Sequence, residues 1–249
     1  MLNRKLFLSL FAIISVLGTQ LIAFANTSTK KNDKPVKFTV RIENISNSMG
    51  QTAKDGSKWP FALSPGMFVV HKNNSTLFKE GRKASVGLEM QAEDGNPTGI
   101  IELLAGTNHA TKQQGIYNTP VGAMGPGPIV PGSAYEFTIS GMPGMKFSMA
   151  IMFGQSNDLF YAPEPKGVEL FKDGKPLQQD ITNKLILWDA GTEVNQEEGV
   201  GSDQAPRQKS ANTGADENSV VKKAKANRFY NMNGQLFRVT ITPETVMGM

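Results

Sequence analysis

Val36, Phe38, Val40 and Ile42 alternate with Lys37, Thr39, Arg41 and Glu43, and this period of two constrains the fold more than any other feature of the chain. Successive side chains of a strand point to opposite faces, so the segment has one face to bury and one to solvate. The alternation returns in Tyr135, Phe137 and Ile139 against Glu136 and Thr138, and again in Phe237, Val239 and Ile241 against Arg238, Thr240 and Thr242. Strands of this kind near both ends of the chain predict that the terminal strands close one sheet. Met145 to Phe153 reads differently. Met145, Phe147, Met149, Ile151 and Phe153 share one face while Ser148 and Ala150 share the other, and small residues opposite large ones predict a strand packed on both sides. Phe68–Val70 and Leu185–Trp188 are predicted as further short strands.

Helical spacing is confined to residues 84–104, in two pieces. The first runs from Ala84 to Ala92 and is broken by Asp94-Gly95-Asn96-Pro97. Pro97 then fits the first turn of a second piece that reaches Leu104 and stops at Gly106. Residues 115–132 are rich in Gly and Pro and predict a loop. Residues 195–227 are polar with few apolar anchors, a loop of a length that is usually functional or mobile. With no internal repeat and no second core, the expectation is an all-β fold, an antiparallel β-sandwich with short helical connections. It spans residues 36–243, with 244–249 as a tail.

Arg4 and Lys5 precede an apolar run from Leu6 to Leu17, and Ala23-Phe24-Ala25 follows. That is the three-part pattern of a cleavable secretory signal over residues 1–25, its apolar run short for a membrane span of about 20 residues. Residues 26–35 then form a polar, flexible leader, and the predicted location is secreted or periplasmic. The chain has no cysteine. This excludes disulfides, thiolate metal sites, cysteine nucleophiles and a lipobox anchor, and a core of this length can hold without them. The formal net charge is +4, of which Arg4 and Lys5 supply two. The basic cluster Lys222-Lys223-Ala224-Lys225 reads as a solvated loop, and no nucleic-acid partner is expected.

The histidines, His71 and His109, are far apart and fit neither metal-ligand nor triad spacing. Nucleophile-elbow, Walker and dinucleotide glycine motifs do not occur. Gly125-Pro126-Gly127-Pro128 reads as a turn, because proline removes the N–H groups that a phosphate cradle needs. Met142, Met145, Met149 and Met152 raise a thioether copper site, but the strand pattern around Met145 and Met149 favours core packing. No catalytic residue is assigned.

The acidic residues carry more. Asp158 lies just past the Met145–Phe153 strand, and Asp189 directly follows Leu185–Trp188, with Glu193 four residues on. Ala190-Gly191-Thr192 permits a sharp turn that returns Glu193 toward Asp189. Carboxylates delivered by separate strand ends to one rim suit calcium, which takes about six to eight oxygen ligands in adaptable geometry. Crowded without a cation, they repel one another and rise in pKa. The spacing also allows two ordinary acidic turns, or a glycosidase-like carboxylate pair.

Phe147-Ser148-Met149-Ala150-Ile151-Met152 followed by Gln155-Ser156-Asn157-Asp158-Leu159-Phe160, and then Leu187-Trp188-Asp189-Ala190-Gly191-Thr192-Glu193, resembles the spondin N-terminal domain. That family carries a Pro-Ser-x-Asp-Trp-Phe-like segment and a Trp-Asp-Ala-Gly-Thr-Asp segment in this order. Ala92-Glu93-Asp94-Gly95-Asn96-Pro97 and Pro131-Gly132 are similar to family segments in the matching places. The resemblance covers roughly residues 36–243. It implies an extracellular β-sandwich with a calcium ion on three acidic residues, which map to Asp158, Asp189 and Glu193. Here Glu193 stands for the family's aspartate, and Gln155 and Leu159 for its Pro and Trp.

The expected function is an exported, non-enzymatic binding or adhesion module with a calcium-stabilised loop rim. Its partner would be an extracellular protein, glycan or matrix component. The alternatives are a carboxylate-based hydrolase using Asp158 or Asp189 under the 195–227 loop, and a calcium-dependent lipid-binding domain with Leu159, Phe160 and Tyr161 at a loop tip.

Overall fold

The alternating residues of the first strand become the centre of a four-stranded antiparallel sheet. The structure, a computed structural model, describes residues 34–72, 77–105 and 111–244. The expected signal, residues 26–33 of the leader, Gly106, His109 and residues 245–249 lie outside the described residues. Among the described residues no helix is long and apolar enough to cross a membrane.

In the smaller sheet the strand order is Gln179–Asp180, Phe237–Pro243, Val36–Asn44 and Ala134–Gly141. Val36–Asn44 therefore pairs with the last strand on one side, as expected of the termini. Phe38, Val40, Ile42, Val239 and Ile241 are fully buried. On the wet face Arg41 stands opposite Glu136, and Glu43 opposite Arg238. Arg41 reaches Glu136 at 3.0 Å and Arg238 reaches Glu43 at 2.6 Å. Exposed cross-strand pairs of this kind contribute a few tenths of a kcal/mol each, so they set register more than stability.

The larger sheet runs Lys222–Lys223, Leu185–Asp189, Leu159–Pro163, Lys146–Phe153, Leu63–His71 and Thr111–Tyr117, with Val168–Glu169 also paired to Lys146–Phe153. The strand predicted at Phe68–Val70 is longer, Leu63–His71. Four strands of this sheet were not foreseen: Leu159–Pro163, Val168–Glu169, Thr111–Tyr117 and Lys222–Lys223. Thr111–Tyr117 takes residues 115–117 out of the segment expected to be loop, and Gly115 fits because a Cβ there would lie 2.8 Å from the Phe68 ring. An edge strand with polar residues carries no clear period, which is why the sequence hides it. Lys222–Lys223 is likewise an edge strand paired with Trp188 and Asp189, not a solvated loop.

Packing on both faces of Lys146–Phe153 is realised by a third layer. Phe147, Met149, Ile151 and Phe153 face the smaller sheet across the main core, joined there by Met145, which places these methionines in packing. Ala150 faces the other way, in a second core with Val69, Phe160, Trp188 and the helix residues Leu88 and Ile100. The helices are Val86–Glu93 and Thr98–Ala105. Ser85 caps the first through its side chain on the Leu88 N–H, so the helix begins at Val86, two residues after the expected Ala84. Gly95 in left-handed conformation closes it, with the Asn96 N–H returning to the Met90 carbonyl at 3.0 Å.

The two helices touch at Gly87, where a Cβ would lie 2.6 Å from the backbone of Gly99 and Ile100. Gly87→Ala is expected to destabilise the fold by about 1–3 kcal/mol through overpacking, outweighing the gain in helix propensity of about 1 kcal/mol. Urea unfolding measures this, and an alanine variant as stable as the parent would contradict the tight crossing.

Candidate metal centre

Asp158 immediately precedes the strand Leu159–Pro163, Asp189 ends the strand Leu185–Asp189, and the register places Leu159 opposite Asp189. The two aspartates therefore emerge at the same end of neighbouring strands. Trp188 fixes this end of the strand, because its buried indole donates to the Ala162 carbonyl at 3.0 Å. Gly191 then turns the chain with φ +71°, and a Cβ there would lie 2.7 Å from the Val220 carbonyl oxygen. Only glycine allows the returning segment to lie so close. That segment is stitched to the turn by Val194 N–H to Ala215 O, Glu217 N–H to Thr192 O and Ser219 N–H to Gly191 O, each 2.8 Å. The return brings Glu217 to the aspartates.

One carboxylate oxygen from each of Asp158, Asp189 and Glu217 lies within 4.8 Å of the others. Asp158 is fully buried. Its Oδ2 accepts from the Thr192 N–H at 2.8 Å, the Glu193 N–H at 3.2 Å and the Thr192 hydroxyl at 3.3 Å. Asp189 accepts from the Gly191 N–H at 2.8 Å and the Asn195 amide at 2.9 Å. Lys222 Nζ lies 2.6 Å from Glu217 and 3.5 Å from Asp189, so one ammonium stands against three carboxylates. Asp158 Oδ1 and Glu217 Oε2 are buried without a hydrogen-bond partner.

Of the residues expected as ligands, Asp158 and Asp189 meet in this trio, while the Glu193 carboxylate lies outside it. The turn aims the Glu193 N–H at Asp158. Its side chain accepts from the Asn157 amide at 3.2 Å and packs against Gly214, where a Cβ would lie 2.6 Å from Glu193 Cδ. Glu193 Oε1 is also buried and unpartnered. Glu93, at the end of the first helix, is a fourth deeply buried carboxylate on this side, 2 % exposed and with its own Oε2 unpartnered.

Burial dominates the electrostatics. It pushes Asp158 up to about 6, with the charge of Asp189 adding and the N–H groups of Thr192 and Glu193 opposing. Burial also pushes Glu193 to about 7, opposed by the Asn157 amide and reinforced by Asp158. Glu93 rises to about 7 by burial, opposed by a hydrogen bond with Thr192 and reinforced by Glu193. Asp189 is raised by burial against the pull of Lys222.

These residues fit calcium. Its oxygens lie at about 2.3–2.6 Å, so two ligands on one ion are up to about 5 Å apart, and the trio meets that limit. The unpartnered Asp158 and Glu217 oxygens are the hard donors such an ion takes. A divalent charge would also relieve the repulsion that Lys222 leaves unbalanced.

Beside the trio lies a cavity of about 490 Å³, lined by Asp189, Asn195, Glu198, Lys222, Lys225 and Arg228 among others. The long 195–227 segment walls it and is held from within. Gln204, fully buried, accepts from the Gly199 N–H at 3.0 Å and donates to the Glu197 carbonyl at 2.8 Å. Gln208 donates to Asp94 at 2.8 Å.

Leu159, Phe160 and Tyr161 do not form an exposed tip. They are strand residues no more than 1 % exposed, which removes the surface on which a calcium-dependent lipid contact was expected. His71 ends its strand with Nε2 2.9 Å from Ser148 Oγ, both residues buried and away from the trio. Glu217, Lys222 and Glu93 were not foreseen as site residues. Sequence spacing marks neither Glu217 nor Lys222, although Gly191 signals the close backbone approach that delivers them. Glu93 lies in the Ala92–Pro97 segment already noted.

A family model described as Spondin_N matches residues 38–238. No curated protein matches the chain.

Proposed function

The chain belongs to the spondin N-terminal domain family, and on that premise we propose that it is an exported, non-enzymatic binding module whose loop rim is ordered by calcium. The family is of extracellular type. The observation that carries the reading is the trio of Asp158, Asp189 and Glu217 with two buried oxygens lacking any partner. Asp158, Asp189 and Glu217 hold the ion in this reading, and Glu193 serves through its N–H on Asp158. When bound, the cation supplies positive charge that lets buried carboxylates stay ionised. The residues of the chain do the rest. Asp158 ties the 190–193 turn to its strand, and Glu217 ties the returning segment to the same point. Ordering the rim prepares the 195–227 wall for a protein, glycan or matrix partner.

One observation favours a carboxylate hydrolase, namely that Asp189 lines the neighbouring cavity. Against it, Asp158 is sealed from that space, and its Oδ2 is held by three donors of the turn. An acid/base partner needs reach to a substrate proton, so the binding reading is preferred.

Calorimetric titration with calcium tests it. The expected dissociation constant is about 10⁻⁴–10⁻³ M, the range of extracellular modules. Asp189→Ala is expected to weaken binding by at least about tenfold, or 1.4 kcal/mol. No heat and no thermal shift from either protein would reject the centre.

A further inference from the structure

At the other end of the Leu185–Asp189 strand, a groove of about 670 Å³ opens between the 163–169 turn, the Phe171–Pro176 hairpin and Lys184. Its volume falls in the range of about 300–1,000 Å³ typical of small-molecule sites. The floor is apolar, formed by Pro163, Val168, Leu177 and Ile186. Leu177 and Ile186 are half-buried, so the floor is partly open to an occupant.

Four lysines rim this floor: Lys146, Lys166, Lys172 and Lys184. Among the described residues none of them forms an ion pair. Lys184 donates to the neutral amide of Gln179 at 2.9 Å. Two acids line the groove, Glu164 and Glu169, and Glu164 is already engaged by Lys223 at 2.6 Å. The hairpin adds to the imbalance, because its register sets Lys172 directly opposite Lys175. Like charges directly opposite on paired strands repel. Lysine stems can also extend an apolar floor while their heads stay at the rim.

We propose that this groove binds an anionic single-chain amphiphile, its chain on the Val168–Leu177–Ile186 floor and its acidic head among the lysines. Both halves of the ligand follow from the site. The floor excludes a fully hydrated anion as sole occupant, and the unpaired lysines disfavour a neutral or cationic head. The groove shares no acidic ligand with the carboxylate trio, so it stands or falls independently of the calcium reading.

Titration calorimetry of the purified protein with dodecanoate below its micelle concentration tests this, with acetate and dodecyl maltoside as chain-free and charge-free controls. Dodecanoate is expected to bind, at least ten times more tightly than either control. Lys166→Glu with Lys172→Glu, both at exposed positions, is expected to weaken dodecanoate at least tenfold while leaving the melting temperature unchanged. Ile186→Ser is expected to weaken dodecanoate without changing the response to acetate. Equal affinity for acetate would reduce the groove to a simple anion patch and overturn the proposal. Equal affinity of the double charge variant would overturn it as well. Binding to phosphatidylglycerol vesicles without binding to dodecanoate would assign the lysines to a membrane surface instead, again overturning it.

Discussion

Asp158→Ala is expected to lower the melting temperature by roughly 5–15 °C and to abolish any response to calcium. Asp158 Oδ2 accepts from two backbone N–H groups and a hydroxyl of the 190–193 turn. Alanine leaves those donors buried and unpaired, at about 1–3 kcal/mol each. Relief of repulsion with Asp189 offsets part of that loss, so the net destabilisation is about 2–4 kcal/mol. Asp158→Asn separates the two roles. Asparagine keeps an acceptor for the turn and replaces the unpartnered charged oxygen with a neutral amide. In chelator it is therefore expected to melt at or above the parent temperature, and calcium should not raise it further. Scanning calorimetry with and without calcium measures all three proteins. An asparagine variant that still gains stability from calcium would remove Asp158 from the ligand set.

The second large effect is one of pH. In chelator, the protein is expected to be less stable at about pH 8 than at about pH 5, by several kcal/mol or on the order of 10 °C. Asp158 is held at about 6, and Glu193 and Glu93 at about 7, all above the ordinary carboxylate range. The stability tied to such groups is fully present below the unfolded value near 4. As pH rises past that value, the unfolded chain releases protons that the folded chain still holds. Stability therefore falls until the folded values are passed, near pH 7. Glu43, lowered by its hydrogen bond with Arg238, acts in the opposite sense only below the ordinary carboxylate range, outside this window. Calcium favours the ionised carboxylates, so its stabilising effect should be larger at pH 8 than at pH 5. A chelated protein whose melting temperature is flat or rises across this interval would contradict the burial, reinforced by mutual repulsion, that raises these carboxylates.

The strands with one wet face were legible in the sequence because each residue obeys a local rule. Val36–Asn44 and Phe237–Pro243 alternate along their length, and their pairing follows. The burial of Lys146–Phe153 on both sides was legible too, from Ala150 among large neighbours, although the helical layer that covers it was seen only as two connections. Thr111–Tyr117 was not legible, since its place is set by a neighbour's ring over Gly115 rather than by its own pattern. At the candidate site the aspartates were found because each sits directly at a strand end. Glu217 was missed because its position depends on a returning segment whose register is fixed by backbone bonds to Gly191 and Thr192. Glu193 was expected from the turn at Ala190-Gly191-Thr192 and from its match to the family's aspartate. Spacing gives the direction of the backbone there, and the turn sends the side chain elsewhere.

The pairing of Val36–Asn44 with Phe237–Pro243 bears on the order of events during synthesis. The first strand to leave the ribosome keeps one hydrogen-bonding edge open until almost the whole polypeptide has been made. Contacts of such long sequence separation are slow to form, so the smaller sheet closes only once Phe237–Pro243 is available. In this fold, delay in closing the smaller sheet is written into strand order.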